Sequence, residues 1–373
     1  MIEYREAAPD ELDSWDDLTV RIPGGHVLQS RGWAEHEQTK GWAAHFLVGD
    51  DGSAVVALTR PQAVVGGRSA YIPRGPVPTG NVSQAIRRLE GVTRWLHERE
   101  VDVVASDAEV LALGYRDELE SIGYRPIEEI QPSRHRLSVH LGEHPDETAV
   151  MGNVSKSTRQ RIHQAEREGL RVVRHDPHAA DGTQSAAAYV EFETPDDPID
   201  VALNRFHELA SGTADRRDFA LGSRGSFLDW TTRAWAGGHL VLLEAVEAVE
   251  GGSVIAGLML YRHGGRLSTA LSGDRPDART THPGAFHLLR WRAIQLAIRE
   301  YAWEMDLGGV DVAGARHEPK PGDPMHGLYM HKRSFGAEWI ELPGAHERQL
   351  NPTRYVAGRV AGGLLSRLKR VMG

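Results

Sequence analysis

The sequence HFLVGDDGSAVVAL at residues 45–58 decides the fold, because a counterpart recurs in the second half of the chain. Residues 240–244, LVLLE, and residues 251–258, GGSVIAGL, repeat its order of apolar segment, glycine-containing turn and second apolar segment. Apolar runs that flank such a turn are typical of a β-hairpin. The sequence therefore predicts the same hairpin twice.

The likeness continues beyond the hairpins. A glycine pair and an arginine, Gly66-Gly67-Arg68 in the first copy and Gly264-Gly265-Arg266 in the second, begin a further strand, which reaches Gly75 or Gly273 at the same spacing. An amphipathic helix and a short apolar strand follow in each copy. The helices are predicted over about residues 82–99 and 285–300. This repeated order predicts two similar α+β domains.

Turn-forming residues separate the two copies. The sequence GEHPDE at residues 142–147 favours a boundary there, so we expect a first domain at 1–145 and a second at 146–341. We expect the C-terminal segment, about 342–373, to pack back on the first domain. Residues 314–327 are predicted to form a long polar loop, and long loops in compact domains are often functional.

The composition excludes several classes of protein. The 373 residues include no cysteine, which excludes a disulfide framework, a thiol nucleophile and a thiolate metal site. The net charge of −9 argues against wholesale wrapping of nucleic acid, although a local basic groove stays open. No apolar run approaches the roughly 18 residues of a membrane span, and the polar first residues differ from a signal peptide. We therefore expect a cytoplasmic protein.

Four groups of residues occur in the order found in one known family. They are LQS at 28–30 with Trp33, Gly41-Trp42 and YIPRGPV at 71–77; SKSTRQRI at 155–162, continued by AEREG at 165–169; DLGGV at 306–310; and GLYMHKRSFGAE at 327–338. Together they resemble the motifs of the FemABX family of aminoacyl-tRNA-dependent peptidyltransferases, which form the interpeptide bridges of peptidoglycan.

The resemblance implies a fold and a reaction. The fold is two tandem GNAT-like domains, each a mixed sheet flanked by helices, which agrees with the repeat. The absence of sustained heptads between the halves predicts the FemX-like type without a coiled-coil arm. The reaction is transfer of an amino acid from aminoacyl-tRNA to an amine of a peptidoglycan precursor, either lipid II or UDP-MurNAc-pentapeptide. The resemblance implies neither a cofactor nor a metal.

A basic helix is predicted to open the second half of the chain. At 100° per residue, Lys156, Arg159, His163 and Arg167 fall on one stripe of this helix. Such a stripe suits contacts with tRNA phosphates or with the pyrophosphate of a precursor. The alternative is a solvated helix face, and the family resemblance favours phosphate binding.

Lys332 is the candidate for the central catalytic charge. Aminolysis of an activated ester needs an amine held near the carbonyl carbon and positive charge near the developing oxyanion. Lys332 matches the family lysine credited with stabilising the transition state, and it lies between Tyr329 and Phe335, which we place at the substrate-binding site. The alternative is an ordinary surface lysine.

Three further residues are assigned through the resemblance. Arg224 aligns with a family arginine that grips the diphosphate of the precursor; the alternative is an arginine that merely begins a helix. Asp107 follows the predicted strand at 101–105, where the family has an acidic residue proposed as a base. The alternative is a strand-end cap, and Ala108 replaces the usual proline. Arg74, in the YIPRGPV motif, is placed at the substrate-binding site.

Two departures from the family bear on the acceptor. Glu35–Glu37 stand where members that use a nucleotide-linked precursor have a lysine, and Leu271 replaces a tyrosine of those members. The lipid-linked precursor is therefore favoured.

The C-terminal tail bears on the same choice. From Arg348 onward the chain has six basic residues and no acidic one. Its apolar arc consists of Val356, Val360, Leu364, Leu368 and Val371. This pattern predicts a basic amphipathic helix on the inner face of an anionic membrane, and the alternative is a tail that packs on the first domain or frays.

Other chemistries find less support. The chain has no Gly-x-Ser-x-Gly elbow, no Walker loop and no His-Glu-x-x-His motif. His135, His140 and His144 have uneven spacing for a metal site on a strand. Residues 274–284 carry two prolines and no glycine-rich loop, which argues against an acyl-CoA donor. The alternatives are transfer to a small-molecule amine in antibiotic biosynthesis, a GNAT acyl-CoA N-acyltransferase, and a non-catalytic RNA- or membrane-binding protein.

Overall fold

The computed structural model describes residues 2–62, 67–77, 81–111, 113–178, 192–193, 195–217, 221–249, 252–310 and 316–357. These residues divide into two compact units. The first comprises the chain up to Arg134 and the segment that begins at Glu341, and the second is His135–Ile340. The division falls before the strand Arg136–His140, whereas we expected it after residue 145, because this strand is hydrogen-bonded into the sheet of the second unit.

The first unit is built on a mixed sheet of seven strands, counted over the described residues. The strands are β1 Tyr4–Glu6, β2 Ala43–Gly49, β3 Ala54–Pro61, β4 Arg68–Ile72, β5 Val101–Ser106, β6 Arg125–Pro126 and β14 His346–Gln349. They are hydrogen-bonded in the order β1-β2-β3-β4-β5-β14-β6. The strands β4 and β5 are parallel, and the other neighbours are antiparallel.

Helices cover this first sheet. They are α1 Pro9–Asp13, α2 Trp15–Thr19, α3 Arg31–Thr39, α4 Val82–His97 and α5 Tyr115–Ser121. The apolar face predicted for α4 is buried in the core, at Ile86, Leu89, Val92 and Leu96. Its N-cap is Asn81, whose side chain accepts a hydrogen bond from the backbone N–H of Gln84.

The second unit has a sheet of the same kind, again of seven strands within the described residues. Its strands are β7 Arg136–His140, β8 Arg171–His175, β9 Leu240–Val246, β10 Val254–His263, β11 Arg266–Asp274, β12 Glu304–Asp306 and β13 Glu338–Ile340. Their order is β13-β7-β12-β11-β10-β9-β8. The strands β11 and β12 are parallel, and the other neighbours are antiparallel.

The helices of the second unit are α6 Glu147–Asn153, α7 Lys156–Arg167, α8 Ile199–Arg217, α9 Arg224–Ala236, α10 Ala278–Thr281, α11 Ala285–Arg299 and α12 His326–Arg333. The apolar positions predicted for α11 are buried, at Leu288, Leu289, Ala293 and Leu296. The order β9-β10-β11-α11-β12 repeats β2-β3-β4-α4-β5 of the first unit. The predicted duplication of an α+β architecture is therefore confirmed.

No helix in the described ranges is long and apolar enough to cross a bilayer. The predicted C-terminal membrane helix lies mostly outside the described residues, which end at Ala357.

The closing glycine of the second copy has a steric role. The helix α8 packs against β11 so closely that a Cβ atom on Gly273 would lie 2.5 Å from the backbone N of Ala210. Backbone atoms cannot rotate away as a side chain can, so only glycine fits at this position without a shift of α8.

We expect Gly273→Ala to lower the free energy of unfolding by about 2–3 kcal/mol, because the added methyl overpacks the contact between α8 and β11. Gly222→Ala is the control, since a Cβ on Gly222 would meet nothing within 4 Å. Urea denaturation of the two variants tests this. Equal unfolding free energies would show that α8 does not press on β11.

Candidate active site

The strands β11 and β12 part where β12 ends. They pair over three residues of each strand, and the last pair is Ser268 with Asp306. The chain beyond β12 stays with β7 instead, since the backbone N–H of Leu307 donates to the carbonyl oxygen of Leu137 at 2.8 Å. A gap therefore opens in the sheet beyond this last pair.

A β-bulge lies beside the gap. Met259 pairs with Leu271 and Leu260 pairs with Thr269, so Ala270 is skipped in the register between β10 and β11. A bulge bends and twists its strand, and bulges are over-represented next to active sites. The bulge therefore changes the direction of β11 at the point where β12 departs.

Asp306 fixes the turn that follows β12. Its Oδ1 accepts a hydrogen bond from the backbone N–H of Gly308 at 2.6 Å, and Gly308 has a φ of +80°, which glycine adopts without strain. Burial raises the pKa of the Asp306 carboxyl, while the guanidinium groups of Arg136 and Arg266 favour its charged form. The Asp-x-Gly-Gly motif is thus a turn held by buried charges.

The ammonium group of Lys332 lies beside the gap. Lys332 is on α12 and only 4% exposed, and its Nζ donates a hydrogen bond to the carbonyl oxygen of Gly309 at 3.0 Å. A Cβ atom on Gly308 would lie 3.4 Å from this Nζ and 3.4 Å from the carbonyl oxygen of Thr269 on β11. Gly308 therefore lies in close contact with both the buried ammonium of Lys332 and the strand β11, and a cation in such a position is of the kind that can stabilise an oxyanion.

Contacts with α11 fix the position of α12. The Nε2 of His331 accepts a hydrogen bond from Arg290 Nε at 3.2 Å, and the rings of His331 and His287 are 4.7 Å apart. Burial lowers the pKa of His287 to about 4, so the contact is made by a neutral ring near pH 7. Phe335, predicted at the substrate site, is fully buried beside these rings and packs α12 against α11.

Tyr329 holds the end of the long loop that precedes α12. Its hydroxyl donates to the carboxylate of Glu318 and accepts a hydrogen bond from Arg333 at 2.9 Å. Tyr329 is 5% exposed, one turn before Lys332 on the same buried face of α12. Residues 311–315 of the predicted loop lie outside the described residues.

In the first unit, a buried glutamine shapes the turn after β4. The Nε2 of Gln29 donates to the carbonyl oxygen of Pro73 at 2.6 Å, and its Oε1 accepts from the backbone N–H of Val56 at 2.7 Å. Arg74, the next residue of the turn, has a left-handed φ of +51°. Such strain persists only where surrounding contacts enforce it, often at functional sites.

Asp107 holds the same turn from the other side. Its carboxylate accepts hydrogen bonds from the backbone N–H of Arg74 at 2.6 Å and from the hydroxyl of Tyr71 at 3.0 Å, and its Oδ2 is 3.6 Å from Arg74 Nε. Burial raises the pKa of Asp107, and the Arg74 guanidinium opposes this. In this geometry the predicted base is a buried carboxylate that positions Arg74.

The remaining predicted residues lie on the helices α7 and α9. Arg224 is the first residue of α9, and its exposed guanidinium donates to Asn204 Oδ1 at 3.0 Å. Lys156, His163 and Arg167 are exposed on α7.

Arg159 differs from the rest of its predicted stripe. Its guanidinium donates to the carbonyl oxygens of Met151, Gly152 and Val154, at 3.3, 3.3 and 2.6 Å, and so caps the end of α6. A phosphate would have to compete with these three carbonyls for the same guanidinium.

Asp306, Gly308 and Gln29 belong to the family motifs, but their roles were not predicted from the sequence. An Asp two residues before a glycine at a strand end is a common turn signal, which identifies the Asp306 turn. Nothing in the sequence indicates the contact between His287 and His331, because it joins two helices through the tertiary structure. Of the described residues, no three His, Asp or Glu side chains form a metal-binding group.

Comparison with known proteins identifies the fold of the chain. Residues 152–318 match the family model of the Acetyltransferase (GNAT) domain, so the second unit carries a GNAT domain. No curated protein matches the sequence significantly.

The whole chain has the fold of FemX. It aligns with the crystal structure of FemX over 95% of this chain and 99% of that one, with a TM-score of 0.74 and 17% identity. It also aligns with a conserved protein of unknown function from Bacteroides thetaiotaomicron (TM-score 0.55, 12% identity, 93% and 99% covered) and with L-PGS from Bacillus licheniformis (0.52, 13%, 95% and 97%). The predicted FemX-like, tandem GNAT-like fold is thereby confirmed.

We expect the contributions of Asp107 and Arg74 to the free energy of unfolding to depend on each other. Asp107→Asn leaves a buried guanidinium without its main partner and should lower the free energy of unfolding by about 2–3 kcal/mol. Arg74→Met in the Asp107→Asn background should cost clearly less than in the parent protein. Urea denaturation of both single variants and of the double variant measures the coupling, and strictly additive effects would contradict the positioning role.

We expect acid to weaken the contact between α11 and α12. His287 has a folded pKa of about 4, below its usual value of 6.5, so as the pH falls below 6.5 the unfolded chain takes up the proton first and stability is lost progressively down to about 4. The loss amounts to up to roughly 3 kcal/mol. His287→Gln, which does not titrate, should show a smaller fall in Tm between about pH 7 and pH 4.5. Parallel curves of Tm against pH would contradict this assignment.

Proposed function

We propose that the protein transfers an amino acid from aminoacyl-tRNA to an amine of the stem peptide of a peptidoglycan precursor, the lipid-linked one in preference to the UDP-linked one. One observation carries the proposal. The buried ammonium of Lys332 lies beside the gap between β11 and β12, in the unit that carries the GNAT match at residues 152–318, and the chain has the FemX fold.

The chemistry needed is modest, because an aminoacyl ester is already activated. The acceptor amine attacks the ester carbonyl carbon, the carbonyl oxygen becomes an oxyanion, and the ribose oxygen of the tRNA leaves. A preorganised cation at the oxyanion lowers this barrier without reorganisation. We assign this role to Lys332, and the assignment is supported by the contacts with α11 and with the turn at Gly308 that fix its surroundings.

The packing around α11 supports tRNA over coenzyme A as the donor. In helix–phosphate sites a glycine-rich loop leaves the helix N-terminus open to the anion. Here α7 packs against the start of α11, since a Cβ on Gly284 would lie 2.5 Å from the carbonyl oxygen of Arg161. The preceding loop contains the helical turn α10, held by an ion pair between Arg279 and Asp274 at 2.9 Å. These residues do not fit the pyrophosphate of an acyl-CoA.

We propose that the exposed basic residues of α7 contact tRNA. Lys156, His163 and Arg167 present their side chains to solvent, where phosphate contacts give affinity without sequence readout. Arg161, also exposed on α7, joins this group in place of Arg159, which caps α6.

Contacts with the acceptor are proposed for Arg74 and Arg224. Arg224 presents an exposed guanidinium at the start of a helix, which suits a diphosphate. Arg74 is held in a strained turn by Gln29 and Asp107, which suits a residue whose direction matters.

The test is transfer of label. The protein is incubated with radiolabelled aminoacyl-tRNA and the lipid-linked precursor, with and without ribonuclease. We expect ribonuclease-sensitive labelling of the precursor. Lys332→Met should lower the rate by about 100- to 1,000-fold because the oxyanion loses its cation, and Lys320→Met, on an exposed lysine, should not.

Two outcomes would contradict the proposal. Labelling that needs an acyl-CoA would identify a GNAT acyl-CoA transferase. No label on either the lipid-linked or the UDP-linked precursor would exclude the cell-wall reaction, and a small-molecule amine would be tested as the acceptor next.

A further inference from the structure

The side-chain hydroxyl of Thr269 makes no hydrogen bond within the described part of the chain. Its Oγ1 is buried and has no hydrogen-bond partner among the described residues. Leaving a buried hydroxyl unpaired costs free energy, whereas the methyl group that valine has in its place carries no such cost. Folding alone therefore gives no reason for threonine at this position, and such an exception calls for an explanation.

The location of Thr269 supplies one. It is the first residue of β11 beyond the last pair with β12, and it adjoins the bulge at Ala270. A Cβ atom on Gly308 would lie 4.0 Å from the Cβ of Thr269 and 3.4 Å from Nζ of Lys332. Both side chains therefore lie next to Gly308.

The side chains of Lys332 and Thr269 can both donate hydrogen bonds. A lysine ammonium can only donate hydrogen bonds, whereas a threonine hydroxyl can donate one and also accept, so both groups can donate to the same oxygen. Two donors that lie close together suit an oxygen that gains negative charge. A neutral apolar ligand would leave the Thr269 hydroxyl without a partner among the described residues.

Resting on the function proposed above, we propose that Thr269 is a second catalytic residue, whose hydroxyl donates a hydrogen bond to the carbonyl oxygen of the aminoacyl ester as that oxygen becomes an oxyanion. The acceptor nitrogen forms a bond to the carbonyl carbon, and the π electrons of the carbonyl move to its oxygen, which Thr269 and Lys332 stabilise. When the carbonyl re-forms, the bond between carbon and ribose oxygen breaks. The proton lost by the attacking nitrogen ends on that ribose oxygen, so no further reactant is needed.

The decisive experiment compares Thr269→Val with Thr269→Ser in the transfer assay. Valine keeps the shape and removes the donor, so kcat should fall by about 10- to 100-fold with KM nearly unchanged. Serine keeps the hydroxyl and should stay within about threefold of the parent protein. In a Lys332→Met background, Thr269→Val should cost less than in the parent, because the two donors act on one oxygen.

Thermal unfolding separates catalysis from structure. Thr269→Val should keep or raise Tm, since it removes an unpaired buried hydroxyl. Thr231→Val is the matched control: the Thr231 hydroxyl is buried and donates to the carbonyl oxygen of Phe227 at 2.8 Å. That variant should lower Tm and leave kcat unchanged.

Several results would overturn the proposal. An unchanged kcat in Thr269→Val, an effect on KM alone, or a loss of Tm as large as that of Thr231→Val would each show that the hydroxyl does not act on the oxyanion. These results presuppose transfer by the parent protein. If the parent transfers no label from any aminoacyl-tRNA, the proposed function fails as a whole, which is a different outcome from a parent that is active and a valine variant that equals it.

Discussion

The site of the second unit depends on one change in strand pairing: after β12 the chain no longer pairs with β11 and stays hydrogen-bonded to β7. The chain leaves β11 after Asp306 and continues along β7, and the carboxylate of Asp306 fixes the turn at Gly308. Had the two strands stayed together, their backbone hydrogen bonds would close the sheet beside Lys332. Beyond the point where they part, β11 and the chain after β12 form no further strand pairs with each other.

The first unit shows the same architecture with this place closed. There β4 and β5 stay paired up to Ile72 and Ser106, and the hydroxyl of Ser106 then donates to the carbonyl oxygen of Gly75 at 2.7 Å. Asp107 and Gln29 hold the turn that follows. The second unit thus has a gap between β11 and β12 with the buried Lys332 beside it, whereas the first unit has a turn in which Arg74 adopts a left-handed φ.

The sequence predicted what depends on local pattern. Glycine-containing turns and apolar periodicity gave the two hairpins and the buried faces of α4 and α11, because these follow from spacing along the chain. The domain boundary was placed after residue 145, since the pairing of β7 with β12 joins distant segments and has no local signal. The role of Arg159 was hidden because its carbonyl partners belong to the preceding helix. Thr269 lies two residues after the buried Leu267 on β11, and only the tertiary structure shows that its hydroxyl has no hydrogen-bond partner in the part of the chain that is described.

The central claim is that the acyl group of the donor lies in the gap between β11 and β12. The most direct measurement is a crystal structure of the protein with a short RNA that mimics the 3′ end of aminoacyl-tRNA, in which a stable amide replaces the ester. We expect the amide carbonyl oxygen to lie within hydrogen-bond distance of Nζ of Lys332, next to Gly308. An acyl group bound elsewhere, with Lys332 still bonded to Gly309 and the gap empty, would contradict it.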